Sequence, residues 1–140
     1  MKSSRMNRIS FMLALVITAL LMTNCNKDEP MAAVSINETG SDVGGDVTGD
    51  GGSALSSYKW SNSLPTVDWN MDITASKGGS FNLRIDDADG KNVLNQILEV
   101  GKGDDSKSGV SATGTAGEWT ITVTLTDFNG DGSFSISPGN

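Results

Sequence analysis

The feature that most constrains this fold is a strict alternation of apolar and polar residues in the second half of the chain. The alternation runs through residues 67–74, 81–85, 119–125 and 133–137. A period of two places the apolar side chains on one face of a β-strand and the polar side chains on the other. The sequence therefore predicts antiparallel sheets that bury one face and leave the other in water.

A turn signal at residues 89–90, Asp-Gly, predicts how two of these strands pair. If these two residues form the tip of a hairpin, Ile85 faces Leu94 and Phe81 faces Leu98. Both pairs place apolar residues opposite each other, and a slip of one residue would destroy that match. We therefore expect a hairpin with this register.

A second turn signal, Asn-Gly at residues 129–130, predicts another hairpin by the same reasoning. With these residues as the tip, Leu125 faces Phe134 and Val123 faces Ile136. The apolar side chains of both arms again share one face.

Weaker strands are expected at 58–60 and near 110–112, which brings the total to about seven. The composition agrees, because 17 glycines against 3 prolines are typical of short strands joined by tight turns. The predicted fold class is all-β, with a small antiparallel β-sandwich in residues 58–140. Segment 117–125, Gly-Glu-Trp-Thr-Ile-Thr-Val-Thr-Leu, is similar to the penultimate strand of extracellular immunoglobulin-like and jelly-roll modules. That resemblance supports the architecture and assigns no activity.

The segment before the alternation is rich in Gly, Asp, Ser and Thr. No helical or strand period persists in it, and such a composition buries too little apolar surface to offset the entropy cost of ordering. We therefore predict that residues 25–57 form a flexible, disordered linker. Asp42, Asp46 and Asp50 recur every four residues within it, and we interpret them as parts of a solvated spacer, with a calcium-binding array as the alternative.

Residues 1–24 are typical of an export signal. Lys2, Arg5 and Arg8 are followed by an uncharged run of 12 residues at 11–22. A helix of that length would measure about 18 Å, well short of the hydrocarbon core of about 30 Å. The sequence thus predicts a signal peptide rather than a spanning helix.

The end of this signal, Met22-Thr23-Asn24-Cys25, resembles the lipobox of bacterial lipoproteins. It matches in the apolar residue three positions before the cysteine and departs at Asn24, where Gly, Ala or Ser is usual. The resemblance implies that Cys25 is alkylated with a lipid, that the chain is cut before it, and that the membrane is a partner through this anchor. The alternative is ordinary signal cleavage that leaves a free thiol.

The residues after the cysteine, Asn-Lys-Asp-Glu-Pro at 26–30, resemble a signal that exports lipoproteins to the outer face of the outer membrane. We expect an outer-membrane lipoprotein displayed on the cell surface, with the periplasmic face as the alternative. Its expected partners are a polysaccharide or another protein of the cell envelope.

Composition excludes several classes of function. The chain has no histidine and a single cysteine, so Ser-His, Cys-His and His-metal schemes cannot form, and we predict that it is not an enzyme. Without residues 1–24, seven basic residues remain against 17 acidic ones, a net charge of −10. Such a surface repels phosphate backbones, and no nucleic-acid partner is expected.

One motif carries oxygen ligands at the spacing with which calcium loops begin. Asp127, Asn129 and Asp131 occupy its first, third and fifth positions, and Gly132 occupies its sixth. The twelfth position is Pro138, where an EF-hand loop would have a glutamate. The favoured interpretation is a hairpin turn, for which no cofactor is required. A calcium ion held by these three residues, in a calcium-dependent adhesive domain, is the alternative.

The three tryptophans raise the alternative of carbohydrate binding by stacking. Trp69 and Trp119 fall on the apolar sides of their strands and are predicted to lie in the core. Tyr58 and Trp60 share a side near the start of the domain and are the predicted stacking surface. The favoured hypothesis remains a non-catalytic accessory or interaction module, with a carbohydrate-binding lipoprotein as the alternative.

Overall fold

The computed structural model describes residues 28–99 and 106–139, and the predicted all-β class is confirmed. The described residues form six strands and no helix. The strands are β1 (Ala32–Thr39), β2 (Asp42–Asn62), β3 (Val67–Asp86), β4 (Asn92–Glu99), β5 (Ser106–Val110) and β6 (Gly117–Pro138).

All neighbouring strands are antiparallel and belong to one hydrogen-bonded sheet. Its order is β1-β2-β6-β3-β4, and β5 pairs with the first part of β3. The three central strands are each 20 to 22 residues long, about twice the usual maximum for a strand. Each of them runs through two layers, because the sheet folds over on itself.

The bends in the three long strands lie side by side and form what we call the folded edge, at 50–53 of β2, 75–80 of β3 and 126–129 of β6. The pairing registers shift at these points. Gly51, Gly78 and Gly79 have positive φ there, and so does Asp127 at 46°. Glycine adopts such backbone conformations without a side-chain clash, so the folded edge is encoded by these glycines.

The fold divides the sheet into two layers that face each other. The first layer contains β1, β5 and segments 42–50, 67–75 and 129–138 of the long strands. The second layer contains β4 and segments 54–62, 80–86 and 117–126. This arrangement is a small β-sandwich, as predicted, and it has six continuous strands instead of about seven separate ones.

The inward-facing side chains form one core between the layers. Trp69 and Trp119 lie in it, as predicted, with 8% and 0% of their surfaces exposed. The alternating residues at 67–73, 81–85 and 119–125 supply much of the remainder. Burial of this apolar surface is the main force that holds the two layers together.

The predicted pairing of β3 with β4 is confirmed. Ile85 pairs with Leu94 and Phe81 with Leu98, in the register inferred from the sequence. The pairing shifts by one residue next to the turn, where Gly90 N–H donates to the carbonyl of Asp87. The apolar match along the strands therefore sets the register, and the turn adjusts to it.

The second predicted hairpin is wrong. Residues 129–130 are not a turn, because β6 continues without a break through them. Gly130 pairs with Gly49 on one side and with Ala75 on the other. A Cβ at Gly130 would lie 2.8 Å from the Cα of Ala75, so this glycine permits a close approach of strands rather than a turn.

The prediction of a linker over residues 25–57 is also wrong for the part that the structure describes. Residues 32–57 form all of β1 and more than half of β2. Val43 and Val47 are 0% and 2% exposed and belong to the core. The sandwich therefore begins near residue 32, and not at 58.

The turns at 40–41, 63–66, 87–91 and 111–116 all lie opposite the folded edge, at what we call the loop end. Three of them are connected to one another: Gly114 N–H donates to the carbonyl of Pro65 at 2.8 Å, and Ala88 N–H to that of Thr115 at 3.3 Å. The part of the chain that the structure describes contains no helix with the length and apolar character needed to cross a membrane.

Candidate ligand-binding faces

The predicted stacking surface of Tyr58 and Trp60 does not form. Trp60 is 1% exposed, and its indole N–H donates to the carbonyl of Ser41 at 3.1 Å. Tyr58 is half-buried, and its hydroxyl donates to Glu38 at 2.7 Å, which raises the pKa of the phenol. The two rings share the inward side of β2, so Trp60 is a core residue and offers no free face to a sugar.

The three predicted calcium ligands lie along the bend and the second half of β6. Asp127 is at the folded edge, where its N–H donates to the hydroxyl of Ser53 at 2.9 Å. Asp131 lies within the first layer, paired with Thr48 and Thr74. Within residues 28–99 and 106–139, no three acidic, histidine or cysteine side chains come together as a group that could hold a metal. Calcium binding at Asn129 and its neighbours stays a prediction.

The predicted lipidation site, Cys25, and the signal peptide at 1–24 lie outside the described residues. The first described residues lead directly to the folded edge. The carbonyl of Met31 accepts the N–H groups of Asp50 and Gly52, at 2.9 and 3.3 Å, where β2 bends.

The outer surface of the second layer carries a regular array of hydroxyl and amide side chains, which we call the hydroxyl face. Strand pairing places its residues in three rows across four strands. The rows are Leu55–Thr124–Asn82–Ile97, Ser57–Thr122–Arg84–Asn95 and Lys59–Thr120–Asp86–Asn92.

Hydrogen bonds between side chains hold this array in place. The hydroxyls of Ser57 and Thr122 are 3.1 Å apart, and Asn82 Nδ2 donates to Asn95 Oδ1 at 2.8 Å. The polar groups are therefore already oriented in the free protein, which lowers the entropy cost of binding a ligand.

The charged groups of the hydroxyl face neutralise one another in pairs. Arg84 donates two-pronged hydrogen bonds to Asp86, at 2.8 to 3.1 Å, and this contact lowers the pKa of the carboxyl. Lys59 lies 3.4 Å from Glu118 at the adjoining end of the face. The face is thus close to neutral while rich in donors and acceptors.

Two exposed apolar side chains flank the first row of this face. Leu55 is 70% exposed at one end, and Ile97 is 49% exposed at the other. Adjacent strands are about 4.8 Å apart, so three steps separate the two side chains by about 14 Å. The row therefore has one aliphatic side chain at each end and polar side chains between them.

The outer surface of the first layer has the opposite character, and we call it the acidic face. It is composed of Asp, Ser, Asn and Thr, and pairing places Ser133 between Asp46 and Asp72 and Ser137 beside Asp68. Gly44 leaves a depression of about 330 Å³ beside Asp42 and Asp46. Among the basic residues of the described ranges, only Lys107 lies in the first layer, and there it pairs with the buried residue Met71.

The acidic cluster at 86–89 serves the fold. Asp87 is 3% exposed, and its carboxylate accepts the N–H groups of Thr115, Lys91 and Asp89 at 2.8 to 3.0 Å. The hydrogen bond from Thr115, followed by those from Lys91 and Asp89, lowers the pKa of this carboxyl. Asp87 thereby connects the turn at 87–91 to the turn at 111–116.

Reasoning from the sequence missed both faces. The alternating threonines at 120–126 were visible in it, but a single strand does not reveal its neighbours. Ser57 and Asn82 lie next to that threonine row because β2 and β3 pair with β6, and Asn95 lies one strand further because β4 pairs with β3.

Comparison with known proteins finds distant similarity to solved structures alone. No family model and no curated protein matches the chain. Among solved structures, the chain is similar to a carbohydrate-binding module, CBM61, in complex with β-1,4-galactotriose, with 12% identity over 79% of this chain and 87% of that one, at a TM-score of 0.44. It is also similar to an arabinose-bound α-L-arabinofuranosidase, MgGH51, with 13% identity over 78% of this chain and a TM-score of 0.40. The chain spans 22% of that enzyme's length.

Proposed function

We propose that this protein is a lipid-anchored, non-catalytic binding module that holds a neutral polysaccharide on its hydroxyl face. The observation that supports the ligand most is the first row of that face. Leu55 and Ile97 flank the polar side chains of Thr124 and Asn82 in a single cross-strand row.

The chemistry of the hydroxyl face complements a sugar chain. Hydroxyl and amide groups exchange hydrogen bonds with sugar hydroxyls, and exposed aliphatic side chains pack against the C–H surfaces of the rings. The acidic face has an exposed apolar side chain at one edge only, Val110 beside Asp68, and its many carboxylates favour cations over neutral ligands. A neutral polymer therefore fits the hydroxyl face better than the acidic one.

A non-catalytic role is supported by the residues that the chain lacks and by the roles of those it has. There is no histidine in the 140 residues to act as a general base. The carboxylates of Asp86 and Asp87 are occupied by hydrogen bonds within the fold.

The test is a glycan array of neutral and anionic polysaccharides, followed by calorimetric titration of the oligosaccharide that binds best. Thr122→Val removes one hydroxyl from the hydroxyl face, and Thr74→Val makes the same change on the acidic face. We expect the first variant to bind about 3- to 10-fold more weakly, the equivalent of one lost hydrogen bond, and the second to bind normally. Absence of binding to any glycan, or equal loss in both variants, would refute the proposed ligand.

The lipid anchor and surface display are proposed from the sequence. The run of 12 uncharged residues and Cys25 support the anchor, and the Lys-Asp-Glu segment after it supports export to the outer face. Metabolic labelling with a palmitate analogue should mark the wild-type protein and not Cys25→Ala. Protease digestion of intact cells should then remove the protein if it is displayed outside; protection in intact cells would place it on the periplasmic face.

A further inference from the structure

We infer that the folded edge is the end of the sandwich that lies next to the membrane and that the loop end projects away from it. This inference rests on the proposed lipidation of Cys25. It assigns a membrane-facing surface and a free surface to the sandwich, which the sequence predicted to be tethered by a long flexible linker over residues 25–57.

The first step is the place where the chain enters the sandwich. β1 begins at Ala32, and Met31 is hydrogen-bonded to Asp50 and Gly52 in the bend of β2. The N-terminal entry point is therefore part of the folded edge. All four turns of the loop end lie at the opposite ends of the same strands.

The second step is the length of chain between the anchor and this entry point. Five residues lie between Cys25 and Met31, which makes six steps along the chain. An extended chain spans at most about 3.5 Å per residue, so this connection reaches no more than about 20 Å. The sandwich is longer than that connection: about nine residues per strand segment give a height of about 30 Å.

The third step concerns which surfaces can approach lipid headgroups. The acidic face presents Asp42, Asp46, Asp68, Asp72 and Asp131 without a basic residue among the described ranges, so contact with anionic headgroups would be repulsive. The folded edge carries Lys77 together with Asp50 and Asp127, so acidic and basic groups are mixed there, and Met31 beside it has 72% of its surface exposed. An upright sandwich that approaches the bilayer by its folded edge keeps the acidic face away from the headgroups and fits the short connection to Cys25.

The experiment uses the fact that Cys25 is the only cysteine of the chain. Once lipid alkylates it, an introduced cysteine is the only free thiol. Lys77→Cys places a thiol at the folded edge, and Ser63→Cys places one at the loop end. Each full-length, lipidated variant is labelled with the same fluorophore and reconstituted into phosphatidylcholine vesicles that carry an acceptor dye on lipid headgroups.

We expect energy transfer from position 77 to be several-fold more efficient than from position 63. Equal efficiencies, or a higher value at position 63, would overturn the inferred orientation while leaving the anchor intact. Flotation of the same vesicles checks the anchor separately: if the unlabelled wild-type protein does not float with them, the proposed lipidation and this inference both fail.

Discussion

The rings of Phe81 and Phe134 lie with their centroids 6.3 Å apart, at an interplanar angle of 44°. Phe81 belongs to the second layer of the sandwich and Phe134 to the first, so this pair joins the two halves of one folded sheet. Tilted aromatic pairs at this separation stabilise a core beyond the area that they bury.

The first prediction concerns this contact. Phe134→Ala should lower the free energy of unfolding by about 3 to 5 kcal/mol, because it leaves a cavity between the layers. Ile136→Val, two residues further along the same strand, should cost about 0.5 to 1.5 kcal/mol. Urea denaturation measures both. A loss below about 1 kcal/mol for Phe134→Ala would show that the layers are not packed together through this ring.

The second prediction tests whether residues 42–50 are a strand or a linker. A Cβ at Gly45 would lie 2.8 Å from Cζ of Phe134 and would also collide with the backbone of Ser35. Gly45→Ala should therefore destabilise the protein by about 1 to 3 kcal/mol through overpacking. Thr48→Ser, on the exposed side of the same strand, is the control. A linker would tolerate both changes, so identical melting curves for Gly45→Ala and the wild type would contradict the fold.

The third prediction compares the tryptophans, whose indole N–H groups differ in their partners. Trp119 donates to the carbonyl of Thr115 at 2.7 Å, whereas Trp69 is buried and its Nε1 has no partner among the described residues. Replacement by phenylalanine should therefore cost about 1 kcal/mol more at 119 than at 69, the net value of one hydrogen bond. Equal losses in chemical denaturation would indicate that the N–H of Trp69 is satisfied by ordered water.

The fourth prediction is the dependence of stability on pH. Hydrogen bonds from Thr115 and its neighbours lower the pKa of Asp87 in the folded protein. The ionised carboxylate therefore stabilises the fold above about pH 4, the ordinary range of aspartate, and this contribution is lost as the pH falls through the lowered pKa.

Asp87→Asn should accordingly melt several degrees below the wild type at pH 7. The difference should shrink as the pH drops below 4, since the wild type then loses its carboxylate too. Asp72→Asn, an exposed change on the acidic face, is the control. Thermal melts between pH 2.5 and 7 measure the effect. A difference independent of pH would mean that the loss comes from altered packing of the turn.

The sequence predicted the parts of the fold that depend on local alternation. Trp119 and its strand, and the pairing of Ile85 with Leu94, follow from an apolar face that has to be buried. Such patterns repeat every two residues and are readable without knowledge of distant partners.

The first two strands could not be recognised by composition. Gly45 and Gly49 lower the strand propensity of this segment, and their presence suggested a linker. In the structure each glycine accommodates an aromatic ring, Phe134 in one case and Phe128 in the other. Val43, Gly45 and Val47 face inward at every second position. The glycine in the middle has no apolar side chain, so the period is recognisable only when its contact with the ring of Phe134 is known.

The candidate site was mispredicted for a related reason. Trp60 and Tyr58 lie on the same side of β2. The sequence alone does not show that β6 and the turn at 40–41 cover the ring of Trp60 and leave that of Tyr58 half-buried. The hydroxyl face depends on pairing between residues up to about 70 positions apart, such as Leu55 with Thr124. Contacts of that range are set by the whole topology rather than by any local pattern.

The most direct test of the central claim is an NMR titration of isotope-labelled protein with the neutral oligosaccharide that binds best on the array. The proposed function predicts chemical-shift changes centred on Thr122, Thr124, Asn82 and the side-chain amide of Asn95, with the signals of Asp46, Asp72 and Ser133 unmoved. Changes confined to the acidic face or the loop end, or no changes at saturating sugar, would contradict it.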